Sequence, residues 1–151
     1  MLIRLDKVEA SEHIYNVVLK KNVPNGAFVE LGKKVDYDAY EGKDIADVDG
    51  RVVMIVEPFI DMTGLEVEDE MVVKKDGRPA RGYIFKENDE ITITLNGVEG
   101  NTATVGQYLV PQVGKTALVA SQTKAGSLCF EVVSDDEELL GKKAVLLRVV
   151  K

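Results

Sequence analysis

The run Ile91-Thr92-Ile93-Thr94-Leu95 puts Ile91, Ile93 and Leu95 on one side of the chain and Thr92 and Thr94 on the other. A repeat of two is the repeat of a pleated strand with one buried face, and no helix satisfies it. Gly82 to Lys86, just before it, is rich in aromatic and β-branched side chains. Between them lies Glu87 to Glu90, where Asn88 and Asp89 can bond their own backbone. The pattern predicts a half-buried hairpin of Gly82–Lys86 and Ile91–Leu95 at the centre of the chain.

The remainder is built in the same style. Ile14 to Lys20 reads as a strand, Val23-Pro24-Asn25-Gly26 as a turn and Ala27 to Leu31 as a returning strand, a second hairpin. Val35 to Asp49 is polar, with Tyr37 and Tyr40, and ends in the turn Asp49-Gly50. Arg51 to Glu57 is almost continuously apolar, which predicts a central strand buried on both faces and stopped by Pro58. Phe59 to Glu70, with Gly64 and the acids Asp61, Glu66, Glu68, Asp69 and Glu70, reads as a loop with one helical turn. Met71 to Lys74, Thr102 to Val105, Gln107 to Val110, Thr116 to Ser121 and Ser127 to Ser134 read as short strands between glycine turns. Asp135 to Leu140 reads as a short helix or a turn capped by Gly141, and Ala144 to Val150 as a closing strand.

About ten short strands and no long amphipathic helix predict an all-β fold, a compact barrel or sandwich of short antiparallel strands with little helix. Residues 1–13 form an N-terminal arm or edge strand and 14–151 the β-rich domain. A weak echo of turn chemistry between the halves allows two similar sub-units, 14–75 and 76–151.

At 151 residues the chain can bury a core without a disulfide or metal. Its single cysteine, Cys129, permits no internal disulfide and fits a reducing compartment. The net charge of -7 opposes binding to nucleic acid phosphates, and the lysine doublets are scattered. The longest apolar runs are far shorter than a membrane span, and Met1 to Asp6 does not read as a signal peptide.

Motifs that carry chemistry are missing from the pattern. His13 is the only histidine and has no companion set of zinc ligands. Cys129, inside Leu128-Cys129-Phe130, reads as a core residue and not as one half of a thiol–imidazole pair. Gly114-Lys115-Thr116 resembles the end of a phosphate loop, but Leu109 stands where its first glycine is needed. Asp47-Val48-Asp49-Gly50 runs into an apolar strand where further calcium ligands belong. The expectation is no enzyme and no cofactor. The alternatives are a small-molecule or carbohydrate-binding β-barrel, which needs a pocket lined by Tyr and Phe, and a β-fold enzyme. The enzyme needs two carboxylates close together in a cleft, one with a raised pKa.

Gly77-Arg78-Pro79-Ala80-Arg81-Gly82-Tyr83-Ile84-Phe85-Lys86-Glu87-Asn88-Asp89-Glu90-Ile91-Thr92-Ile93-Thr94 resembles a recurring stretch of small structural proteins of tailed bacteriophages, encoded beside the major capsid protein. Ile14 to Leu19 through Asn25 to Gly32 resembles their N-terminal hairpin. The resemblance implies a capsid decoration protein on the exterior of the phage head that stabilises the expanded shell. It implies the major capsid protein as partner, no nucleic acid or membrane, and a location on the virion after assembly in the host bacterial cytoplasm. A homo-oligomer fits this role, a trimer among others. The apolar character of the N-terminus marks Leu2, Ile3, Arg4 and Leu5 as candidate partner contacts.

Overall fold

The computed structural model describes residues 1–8, 14–36, 38–57, 72–73 and 78–151. The fold is all-β and its strands form two main layers. One is an open six-stranded sheet in the order β1 (Ile3–Lys7), β9 (Glu90–Thr94), β13 (Lys142–Val149), β12 (Phe130–Leu139), β10 (Tyr108–Val110), β11 (Val119–Ser121). The other is a closed barrel in the order β2 (Ile14–Leu19), β5 (Ala39–Lys43), β4 (Phe28–Asp36), β6 (Val52–Ile55), β8 (Ala80–Tyr83). A two-stranded ribbon pairs β3 (Val23–Pro24) with β7 (Val72–Val73). The described strands pair antiparallel except β2 with β5, and an isolated parallel bridge joins Val98 to Leu118.

Period-two alternation explains how the layers meet. In the barrel, Val17, Leu19, Val29, Leu31, Val53, Ile55 and Ala80 form one aliphatic cluster. Their neighbours along the strands, Phe28, Val52, Met54 and Tyr83, join the other core, with Ile91, Ile93, Phe130, Val145 and Leu147 of the sheet. Val52–Ile55 is therefore buried on both faces, as its continuous apolar run predicts. Phe130 sits at the junction, edge-on to Phe28 at 6.0 Å and to Phe85 at 5.8 Å between ring centroids.

The bore of the barrel is too narrow for side chains at two positions. A Cβ on Gly42 would lie 2.5 Å from Val17 Cγ1, and one on Gly82 would lie 2.7 Å from Val17 Cγ2 and 3.0 Å from Val53 Cγ2.

The central hairpin does not form. Ile91–Leu95 begins in a strand, but β9 pairs with β1 and β13, while β8 pairs with β2 and β6. The polar turn is present: Asp89 N–H donates to Lys86 O, and Asp89 Oδ2 accepts from Lys86 N–H. Its exit bonds Val149 instead, with Asn88 N–H donating to Val149 O and Val149 N–H to Asp89 O. Phe85 enters the shared core, so the segment steps from one layer to the other.

The first expected hairpin is also re-paired. Ile14–Leu19 and Phe28–Asp36 are not neighbours; β5, from the stretch read as a polar excursion, lies between them. Thr102 to Val105 is irregular, and Gln107 closes a turn there by donating its N–H to Thr104 O. Asp135 to Leu139 is strand, not helix, because β12 continues through it to pair with β13. The boundary between layers does not fall at 75/76: Ala80–Tyr83 closes the barrel, and Ile3–Lys7 belongs to the sheet otherwise made by the C-terminal part. His13, Tyr37, Pro58 and the loop expected over Phe59 to Glu70 lie outside the described residues.

Candidate functional site

The N-terminal strand was the sequence's candidate contact surface. The Met1 side chain fills a slot between the layers; its sulfur lies 1.8 Å from where a Cβ on Gly97 would stand, and its methyl 1.9 Å from that of Gly26. Leu2 is buried, and Ile3 and Leu5 pack against the shared core. The backbone is also engaged: Leu2 N–H donates to Thr94 Oγ1 at 2.9 Å, and Thr94 N–H to Leu2 O at 3.0 Å.

Of the four candidate residues, Arg4 alone is exposed, and it heads a polar network on the face of the sheet away from the core. Its Nε donates to Asp6 Oδ1 at 2.6 Å and its Nη2 to Thr92 Oγ1 at 3.1 Å. The Thr92 hydroxyl donates to Asp6 Oδ2 at 2.7 Å, and Glu137 Oε2 lies 4.0 Å from Arg4 Nη2. Thr92 is fully buried, so this network satisfies a hydroxyl that would otherwise be costly. The apolar side chains of the terminus thus complete the fold, and what they leave outward is a charged margin.

Among the described residues two carboxylates are buried, Glu30 and Glu41. Burial alone pushes the Glu30 carboxyl up, but hydrogen bonds from the Ala46 and Asp47 amides at 2.8 and 3.0 Å outweigh it. Lys43, 3.1 Å away, adds to them, and the net displacement is below the usual value. Glu41 is also lowered, chiefly by its hydrogen bond to Lys20, against an opposing effect of burial. Both groups are therefore held ionised by structural partners. A general acid needs the opposite displacement. Burial pushes the Cys129 thiol up, away from the reactive thiolate. Among the described residues no group of three His, Cys, Asp or Glu side chains is placed to hold a metal ion. No described helix is long and apolar enough to cross a membrane.

Shallow grooves formed by described residues include two of similar size. The first, about 350 Å³, has Leu19, Val23 and Val29 in its floor and Lys20, Lys21, Lys43 and Asp44 around it. Its lysines are already paired, Lys20 with Glu41, Lys21 with Asp44 at 2.5 Å and Lys43 with Glu30. The second, about 340 Å³, is lined by Val48, Val110, Pro111, Val113 and Ala125 among others. Neither contains an aromatic ring. Tyr15 and Tyr40 instead pack edge to face at 5.5 Å, with the Arg51 guanidinium 5.0 Å from the Tyr40 ring centre. The lining expected of a sugar-binding pocket is not assembled at either groove.

Among the described residues the margin of the sheet, the tips of its connections and the outer half of β4 reach solvent. β1 and β11 end the strand order. Val105, Val113 and Leu140 are the most exposed of the described large apolar residues. Leu140 stands at the turn of the long β12–β13 hairpin, where Leu139 pairs with Lys142. Sequence reasoning missed this hairpin because its acidic stretch reads as a helix or turn; the signal was Leu140-Gly141 between two pairable runs. No protein-family model, no curated protein and no solved structure matches the chain.

Proposed function

We propose that the chain is a virion structural protein, a decoration protein that binds the exterior of a tailed-phage head and stabilises the expanded shell. Two lines support this reading: the resemblance carried by Gly77–Thr94 and by Ile14–Gly32, and the physical character of the molecule. The observation that carries it is the division between a braced interior and an open margin. One apolar core, with Phe130 at its centre, joins barrel to sheet, while the sheet's outer strands and projecting hairpin face solvent. A protein that reinforces a shell works by stiffness and fit. By binding the expanded state and not its precursor, it stabilises that state by mass action. The negative charge keeps such a protein soluble and off packaged DNA.

The test is sedimentation of the purified protein alone and with shells of the major capsid protein encoded beside it, before and after expansion. Saturable co-sedimentation with expanded shells only is expected. Absence of binding to expanded shells overturns the reading. The run without shells reports whether the protein self-associates, as a trimer or otherwise.

A further inference from the structure

The thioether of Met1 is held between two glycines that belong to different layers. Gly26 lies between β3 and β4, on the barrel side, and Gly97 lies just after β9 of the sheet. The sulfur occupies the space a side chain on Gly97 would need, and the terminal methyl that of a side chain on Gly26. The slot therefore fits a sulfur with nothing added to it. Its surroundings are apolar, since Met1 belongs to the shared core and Ile3 is the other side chain against Gly26. Met54, by contrast, lies in the middle of β6 and has no exposed surface, whereas Met1 keeps 8%. β1 is also an edge strand, bonded on one side only, to β9. Lifting it breaks one ladder and leaves the rest of the sheet paired. The more accessible of these two sulfurs thus sits under an element that can open by itself.

Going beyond the decoration reading, we propose that Met1 is a redox latch: oxidation of its sulfur by a peroxide releases β1 from the sheet. A sulfur lone pair attacks one peroxide oxygen. The S–O bond forms as the O–O bond breaks, and the leaving hydroxide takes the remaining hydroxyl proton and departs as water. The thioether is oxidised to a sulfoxide and the peroxide is reduced. The product carries an extra oxygen and a strong dipole into a space walled by two glycine backbones, where burial of a polar group is costly. Release draws Leu2 away from Thr94 and lifts Ile3 and Leu5 off the shared core, which opens the edge of β9. A methionine sulfoxide reductase reverses the change.

The test treats the full chain with dilute hydrogen peroxide, maps the added oxygen by peptide mass and follows amide exchange at Thr94. It uses the wild type and a Met62→Leu, Met71→Leu variant, whose remaining methionines are Met1 and Met54. In both, Met1 is expected to gain its oxygen before Met54, and exchange at Thr94 to rise about tenfold or more in step with it. Methionine sulfoxide reductase should restore the original mass and protection. The same chain made with norleucine in place of methionine lacks the thioether but keeps Cys129, and its protection should survive the treatment. Loss of protection in the norleucine protein overturns the latch, and so does unchanged protection once Met1 is oxidised. A change in the wild type that the double variant lacks also overturns it. Oxidation of Met54 as fast as Met1, or a Met1 that resists peroxide in the folded protein, does the same.

Discussion

Gly42 and Gly82 set the bore of the barrel, and both are contacted by Val17. Replacing Gly82 with alanine would set a methyl against Val17 and Val53, side chains from two different strands. β-Branched residues have little rotamer freedom with which to retreat. The expected cost for Gly82→Ala is about 1–3 kcal/mol of stability, read from a denaturant midpoint. Glu30 supplies a second test at this scale. Its carboxylate accepts the Ala46 and Asp47 amides, so Glu30→Ala should cost about 1–3 kcal/mol at neutral pH by leaving those donors unmet. Its folded pKa is lowered, so its contribution is present above the unfolded value, near 4.5, and is lost as pH falls through the folded value. Glu30→Gln should accordingly show a shallower loss of stability on acidification below about pH 4.5 than the wild type. Equal slopes in the two proteins would remove Glu30 from the account.

At the scale of elements, the N-terminal strand is held at one end by Met1 and along its length by Thr94 and Thr92. The Met1 slot exists because Gly97 has no side chain. Gly97→Ala should expel Met1 and cost about 2–5 kcal/mol, as for removing a buried methionine. Amide exchange at Thr94, whose N–H is bonded to Leu2, should accelerate with it. Unchanged protection at Thr94 would show that β1 stays docked without its anchor. The strand over residues 91–94 was legible from its alternation, though Leu95 turns out of it, and the turn before it was legible from its polar residues. Their partners were not legible. Hairpin formation is the default for neighbouring strands, yet here the turn delivers the chain to Val149. The acidic run at Asp135–Glu138 misled for a related reason. Its half-buried face is created by the neighbouring strands of the sheet, not by an apolar repeat of its own.

For the whole molecule, one of the two apolar clusters is common to barrel and sheet, so neither layer keeps that packing if the other melts. Phe130→Ala removes the ring that contacts both Phe28 and Phe85. It should cost about 3–5 kcal/mol while unfolding stays a single transition with coincident probes. Two separated transitions, in this variant or in the wild type, would mean that the layers are independent. The candidate contact surface belongs to this scale too. The apolar N-terminus looked available to a partner because nothing in its own sequence buries it. The slot between Gly26 and Gly97 does so, and those residues are remote from it in the chain.

The residue pattern alone was enough to read strands, the sites of several turns, and the burial of Val52–Ile55 on both faces. Those properties are local: the repeat of two and the turn residues act within a few positions. Long-range packing set which strands pair, the change of layer after β8, and the exposure of an apolar side chain at the hairpin tip and not at the N-terminus. Backbone groups bond equally well to any strand of suitable register. The choice is made by how Phe28, Phe85 and Phe130 pack together across the chain.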